Sequence, residues 1–154
     1  MQKRPWLMLC MLLVVTIAAS SPGAYFHPGA WYHHAPKSSL TPPNWVFAPV
    51  WLSLYALMAI AAWLVWRRDP QRVSGPLILY FAQLVPNAMW TGFFFGWHQP
   101  GWALIDIGVL WLLVVALLVL FYRVSRAAAG LLIPYLAWVS FAAYLNFVFW
   151  QLNR

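Results

Sequence analysis

Tryptophan, tyrosine and amide side chains recur at helical spacing in three apolar stretches of this sequence, which contains 12 tryptophans among 154 residues. Residues three or four apart lie on one face of an α-helix, so each stretch predicts an aromatic and polar stripe. The three stripes are Trp51, Tyr55 and Met58; Gln83, Asn87, Trp90 and Phe94; and Tyr135, Trp138, Ala142 and Asn146. Indole faces can stack on a flat apolar molecule, and amides can bind a polar edge. The alternative interpretation is ordinary packing, with the amides hydrogen-bonded between helices.

The side chains that could bind an anion or a metal ion lie mostly in the connections between apolar stretches. They are His27, His33, His34, Lys37 and His98. Adjacent histidines are poorly placed to bind one ion together, and no acid accompanies them, so we expect no metal site. Ligation of a haem iron by one histidine stays open. Asp106 lies within an apolar stretch, where an acid is a functional candidate by default and a hydrogen-bonded helix contact is the alternative.

The composition excludes several classes of function. Hydrophobic residues make up 64% of the chain and charged residues only 7%, which indicates a membrane protein. The only acids are Asp69 and Asp106, and no triad or phosphate-binding loop is recognisable. The net charge of +7 comes from basic residues scattered between apolar stretches, which argues against nucleic-acid binding.

Five apolar stretches are each long enough to cross a bilayer, and they predict a single all-α domain, residues 1–154, folded as a five-transmembrane-helix bundle. The predicted spans are residues 6–26, 45–66, 76–97, 102–122 and 130–150, with one long connection at 27–44. We interpret the first stretch as a span rather than a cleaved signal peptide, because aromatic residues continue beyond any cleavage point.

The basic residues predict the orientation of these spans. One side collects Lys3, Arg4, Arg67, Arg68, Arg72, Arg123 and Arg126, whereas the other collects only Lys37 and Arg154. By the positive-inside rule the N-terminus is cytoplasmic, and the long connection and the C-terminus face outward. His33, His34 and Lys37 would then lie with Asp106 at the outer mouth of any pocket between the helices.

Prolines and glycines suggest where the bundle opens and where it associates. Pro86 and Pro134 lie inside predicted spans, where each removes a backbone donor and favours a bend that makes room between neighbours. Gly92 and Gly96 form a small-xxx-small pattern, which makes them the best candidates for a homodimer contact.

In their order along the chain, these residues closely resemble the TspO/MBR family of tryptophan-rich sensory and translocator proteins. The resemblance covers the whole chain and rests on specific motifs. The motifs are Trp31-Tyr32, Pro42-Pro43-x-Trp45-Val-Phe47, Val50-Trp51-x-x-Leu54-Tyr55, Gln83-Leu84-x-x-Asn87-x-x-Trp90, Phe94-Phe95-Gly96, Asp106, Pro134-Tyr135-x-x-Trp138 and Leu145-Asn146.

The resemblance implies a five-helix bundle, usually dimeric, in a bacterial membrane. It implies a pocket beneath the first connection for porphyrins, haem, sterols and similar apolar ligands, with no obligatory cofactor. The pocket would involve Trp31, Trp45, Trp51, Asn87, Trp90, Trp138 and Ala142, to which the stripes add Tyr55 and Asn146. The loop departs from the family pattern at Ser38 and Leu40, where a proline and a tryptophan are usual.

Three functions remain compatible with the sequence. The first is a non-enzymatic binder or sensor of tetrapyrroles that passes them to a partner. The second is a light- and oxygen-dependent porphyrin-degrading enzyme, in which Trp51 and Trp138 would donate electrons. The third is a transporter, which five spans without an evident repeat favour least.

Overall fold

The computed structural model describes residues 4–19, 21–71 and 73–154, and in these ranges the chain forms α-helices joined by short connections. The helices are α1 (Pro5–Ala19), α2 (Ser21–Tyr25), α3 (Ala30–His34), α4 (Asn44–Arg68), α5 (Ser74–Thr91), α6 (Pro100–Val124) and α7 (Arg126–Leu152). Helices α4, α6 and α7, and α5 with its continuation to Gly96, are long and apolar enough to cross a membrane, and α1 is a shorter apolar helix. The predicted five-helix membrane bundle is confirmed.

The boundaries differ from the prediction mainly at the two ends of the long connection. The predicted span 6–26 contains α1 and α2, between which residue 20 lies outside the described residues, and the predicted loop 27–44 contains the short helix α3. Two basic residues used for the orientation, Lys3 and Arg72, lie outside the described residues.

Two side-chain hydrogen bonds show which ends of the helices and connections lie together. Trp63 near the end of α4 donates from Nε1 to the carbonyl of Pro5 at the start of α1, over 2.8 Å. Asn153 after α7 donates from Nδ2 to the carbonyl of Pro36, over 2.9 Å. The C-terminus therefore lies at the end of the bundle that carries the long connection.

Buried alanines allow close contacts between some of these helices. Helix α4 lies between α1 and α7, and α6 lies between α5 and α7. Ala59, Ala61 and Ala62 are completely buried on α4, where they let neighbouring backbones approach closely. Packing of this kind, rather than exclusion of water, holds helices together in lipid.

Helix α5 continues into a π-helical turn at the glycines for which the sequence pattern predicts a dimer contact. Gly92–Gly96 forms a π-helical turn, and the amide of Trp97 donates to the carbonyl of Gly92 over 2.8 Å. The ring of Phe26 from the same chain covers Gly96 so closely that a Cβ there would lie 2.7 Å from Phe26 Cδ1. Gly92 is buried and has the same ring nearby. Both glycines thus have aromatic rings of the same chain beside them, and the contact between chains stays a prediction.

Candidate functional site

A cavity of about 470 Å³ lies between α4, α5 and α7, in the halves of these helices nearest the connection that contains α3. This volume falls within the range of roughly 300–1,000 Å³ that is common for small-molecule sites. The long helices supply the walls, and the connection before α4 supplies the cover. The bundle therefore contains preformed space for a guest molecule.

Aromatic rings form a large part of the wall. Trp51 stacks on Tyr55 with ring centroids 5.6 Å apart, and Trp90 stacks on Phe94 with centroids 5.2 Å apart. These pairs come from α4 and from α5 with its π-helical turn, because residues four apart share a helical face. Ala142 on α7 adds a small side chain that leaves the space open. A flat apolar ligand would find two supported indole faces here.

A buried hydrogen-bond network forms the polar floor of the cavity. The Tyr55 hydroxyl donates to Asn87 Oδ1, Asn87 Nδ2 donates to the Tyr135 hydroxyl, and that hydroxyl donates to Gln83 Oε1, each over 2.8 Å. Gln83 Nε2 continues to the carbonyl of Tyr80 over 3.1 Å. Tyr55 and Asn87 line the cavity, so the network ties three helices together directly beneath a guest.

Asn146 makes a second polar connection beside the cavity. Its Oδ1 accepts from Trp90 Nε1 over 2.9 Å, and its Nδ2 donates to the carbonyl of Pro100 over 2.8 Å. Because Asn146 is buried on α7, this arrangement fixes the Trp90 ring against the wall and joins α7 to the start of α6. The amides therefore act as helix contacts, as the packing interpretation expected, while two of them also face the cavity.

The cover is fastened by Lys37 and Tyr32. Lys37 Nζ donates to the carbonyls of Tyr32, Ala35 and His33 over 2.6, 3.0 and 3.2 Å, at the end of α3. The same Nζ lies 4.8 Å from the centre of the Tyr32 ring, which stacks on Phe149. Burial raises the pKa of the Tyr32 hydroxyl above its ordinary value of 10.0, so this side chain stays neutral.

Comparison with known proteins identifies the chain, since the sequence model of the TspO/MBR family matches residues 7–151. The chain belongs to the TspO/MBR family. It is 39% identical over 154 residues to the Tryptophan-rich protein TspO of Chlorobaculum tepidum, covering 96% of each chain. It is 42% identical over 121 residues to the human Translocator protein, covering 77% of this chain and 72% of that one. It is 36% identical over 148 residues to the Tryptophan-rich sensory protein of Cereibacter sphaeroides, covering 96% and 92%. It is therefore a multi-pass membrane protein of the TspO and translocator type.

Seven of the predicted site residues come together on the cavity wall of this TspO/MBR protein. They are Lys37, Trp51, Tyr55, Asn87, Trp90, Ala142 and Asn146. Six of them belong to the helical stripes of the sequence, which explains why spacing alone grouped them.

Three predicted tryptophans lie elsewhere. Trp45 is 75% exposed, because the face of α4 with Trp51 and Tyr55 turns it away from the cavity. Trp31 is half-buried against Phe149, at a centroid distance of 5.2 Å, and stacks on His98 with centroids 4.4 Å apart. Trp138 is not on the cavity wall; it packs edge-to-face with Phe47, at a centroid distance of 5.9 Å, and Phe47 lines the cavity.

The remaining predicted mouth residues do not line the cavity either. His33 and His34 are exposed at the end of α3. Asp106 is half-buried on α6, and its Oδ2 has no hydrogen-bond partner among the described residues. The described ranges contain no group of three or more acidic, histidine or cysteine side chains able to hold a metal ion.

The structure adds wall residues that sequence reasoning did not single out for the pocket. From the cover come Phe26, His27 and Tyr32, and from the helices come Phe47, Phe95 and Phe149. In the family motifs, Tyr32 directly follows Trp31, and Phe47 lies two residues after Trp45. The motifs therefore marked the correct segments, but the neighbouring tryptophans drew the assignment to the wrong faces.

Proposed function

We propose that this protein binds a flat, apolar tetrapyrrole with an anionic edge, such as protoporphyrin or haem, in the cavity between α4, α5 and α7. The observation that carries the proposal is the pair of supported indole faces, Trp51 and Trp90, on the wall of a space of about 470 Å³. Stacking on each ring contributes about 0.5–1.5 kcal/mol beyond the burial of apolar area. The same cavity accommodates other apolar ligands, including sterol-like molecules, as weaker candidates because they lack a flat aromatic face.

Charge at the mouth supports an anionic edge on the ligand. Lys37 is the only lysine or arginine among the described wall residues, and its positive charge remains although its donors are bonded to the end of α3. The start of α4 lies on the same wall through Asn44, and the positive end of a long helix favours an anion. A carboxylate at the mouth would therefore be attracted by the charge of Lys37 and by the positive end of α4, without forming a direct ion pair.

A titration of purified protein with protoporphyrin, followed by the Soret absorbance of the porphyrin, tests this function. We expect Trp51→Leu and Trp90→Leu to weaken binding about 2- to 13-fold each, which corresponds to the loss of one stacked pair. Trp45→Leu is the matched control, because that indole is exposed and lies off the wall. Equal effects of all three substitutions would overturn the proposal.

Light-dependent porphyrin degradation is the second candidate, and the position of Trp51 favours it. Its ring lies on the wall and stacks on Tyr55, with Tyr135 at a centroid distance of 6.4 Å. An indole there is placed to give an electron to an excited porphyrin, with oxygen from the air as the oxidant that degrades the ring. Illumination with protoporphyrin in air, compared with free porphyrin, distinguishes the two candidates. Loss of absorbance that slows in Trp51→Phe but not in Trp138→Phe would favour the enzyme, since Trp138 is shielded by Phe47.

Placement in the membrane and assembly complete the proposal. Five described arginines lie at one end of the bundle, namely Arg4, Arg67, Arg68, Arg123 and Arg126, against Lys37 and Arg154 at the other. We therefore assign the N-terminus to the cytoplasm and the cavity mouth to the outer face. We also propose a homodimer, for which Gly92 and Gly96 stay the contact predicted from the sequence.

A further inference from the structure

One set of five residues that line the cavity belongs to α1, α2 and α4, and four of the five are alanine or glycine. They are Ala19 on α1, Gly23 and Ala24 on α2, and Ala48 and Leu52 on α4. A Cβ placed on Gly23 would meet no atom within 4 Å, so there is free space at this position. Ala48 is exposed, and Leu52 is 55% exposed although it lies within a spanning helix. We call these five residues the lateral opening.

The path of the chain explains why the lateral opening exists. Near the other end of the bundle α1 packs on α4, and Trp63 is hydrogen-bonded to the start of α1. After α1 the chain crosses to the opposite neighbour, because α2 packs on α5 and Phe26 covers Gly96 of the π-helical turn. The close fit of Phe26 on a glycine fixes α2 there, and the adjoining edge of α4 is left uncovered.

From its depth along α4 we expect the lateral opening to face the bilayer rather than water. Leu52 follows the first residue of α4 by eight positions, which is about 12 Å along the helix axis. Its neighbours on the opening are alanines and glycine, which offer nothing to water in a helix that spans hydrocarbon. The cover, by contrast, is tied to the end of α7 by the bond from Asn153 to Pro36, and the three Lys37 bonds hold its own turn together.

From this geometry we infer that apolar ligands reach the cavity sideways from the bilayer, through the lateral opening between α1–α2 and α4. The inference rests on the proposed function and specifies its ligand class, namely molecules that partition into lipid before they bind. A ligand that enters from the bilayer displaces only lipid chains. A ligand that enters through the mouth must displace the cover, which the hydrogen bond from Asn153 to Pro36 ties to α7. The bilayer also concentrates such ligands beside the opening.

Stopped-flow mixing tests this route, with protoporphyrin loaded into vesicles and the full-length protein in vesicles of the same lipid. Gly23→Trp places an indole in the free space, and we expect both the association and the dissociation rate to fall by about tenfold or more, because ligand must displace that ring in either direction. Gly29→Trp is the matched control, since a Cβ there also meets no atom within 4 Å and Gly29 does not line the cavity. Ser38→Trp obstructs the mouth instead and should slow exchange far less.

The outcomes separate the route from the function. Saturable binding in the wild type with slow exchange in Gly23→Trp alone supports the inference. Slow exchange in Ser38→Trp with normal rates in Gly23→Trp, or normal rates in both, overturns it while the proposed function stands. No saturable binding in the wild type overturns the proposed function and the route with it. Ala48→Trp, which obstructs the opening from the facing helix, repeats the test if circular dichroism shows that Gly23→Trp has lost its helices.

Discussion

Removal of one buried hydroxyl, by Tyr135→Phe, should destabilise the bundle measurably. The Tyr135 side chain is completely buried, and its hydroxyl accepts from Asn87 and donates to Gln83 over 2.8 Å each. The substitution keeps the ring and leaves both amides without that partner. Hydrogen bonds between helices in membranes contribute about 0.6 kcal/mol on average and up to about 1.7, so two of them predict a loss of roughly 1–3 kcal/mol.

The assay is reversible unfolding in mixed detergent micelles, with helix content followed by circular dichroism. Tyr144→Phe is the matched control, because that ring is 45% exposed on the same helix. The double variant Tyr135→Phe with Gln83→Leu should lose less free energy of unfolding than the two single variants together, because each single change already removes the same Tyr135–Gln83 hydrogen bond. If the free energies of unfolding of Tyr135→Phe and its control differed by less than about 0.5 kcal/mol, which is typical of surface substitutions, the network would not hold the helices together.

Three further changes test other contacts of the bundle. Gly96→Ala should lower the unfolding temperature because its Cβ would force the Phe26 ring to move, whereas Gly108→Ala, with no atom within 4 Å of its Cβ, should not. Lys37→Met should speed amide hydrogen exchange in α3, since three carbonyls lose their charged donor; unchanged exchange would show that the cover is held elsewhere. Trp63→Phe should lower the free energy of unfolding by about 1 kcal/mol through loss of its bond to the start of α1, and no change would mean that this bond contributes nothing.

Helical spacing predicted the part of the site that lies on long helices. Trp51 and Tyr55 stack on one face of α4, and Asn87 and Trp90 follow one another on α5, because a regular helix fixes these directions from the chain alone. Spacing could not decide between ligand contact and packing. Asn87 does both, and this depends on which helices are neighbours, a feature that no single stripe encodes.

The residues before α4 were harder to place from sequence. Tyr32 lines the cavity and Trp31 does not, and Phe47 lines it whereas Trp45 and Trp138 do not. The reason is that tertiary contacts set the rotation of α3 and of the first turn of α4. Lys37 reads in sequence as a free donor at the mouth, yet its ammonium is bonded to the carbonyls that end α3. Short helices and charged caps of this kind follow from neighbours in space.

The Gly92 and Gly96 pair shows the same limit for the π-helical turn. The small-xxx-small pattern correctly indicated a close approach at this position, because a ring does lie directly on Gly96. It could not indicate that the ring is Phe26 of the same chain. The contact that this glycine allows fixes α2, and through α2 it leaves the lateral opening beside α4.

The most direct test of the account is whether filling the cavity abolishes porphyrin binding. Ala142 is 7% exposed and lines the cavity, so Ala142→Trp places an indole where the guest would lie. Ala137→Trp adds the same indole to an exposed position of α7 and serves as the control. We predict that protoporphyrin binding, measured by Soret titration of folded protein, is lost in Ala142→Trp and retained in Ala137→Trp. Equal affinity in the two variants, with helix content intact, would contradict the assignment of the ligand to this cavity.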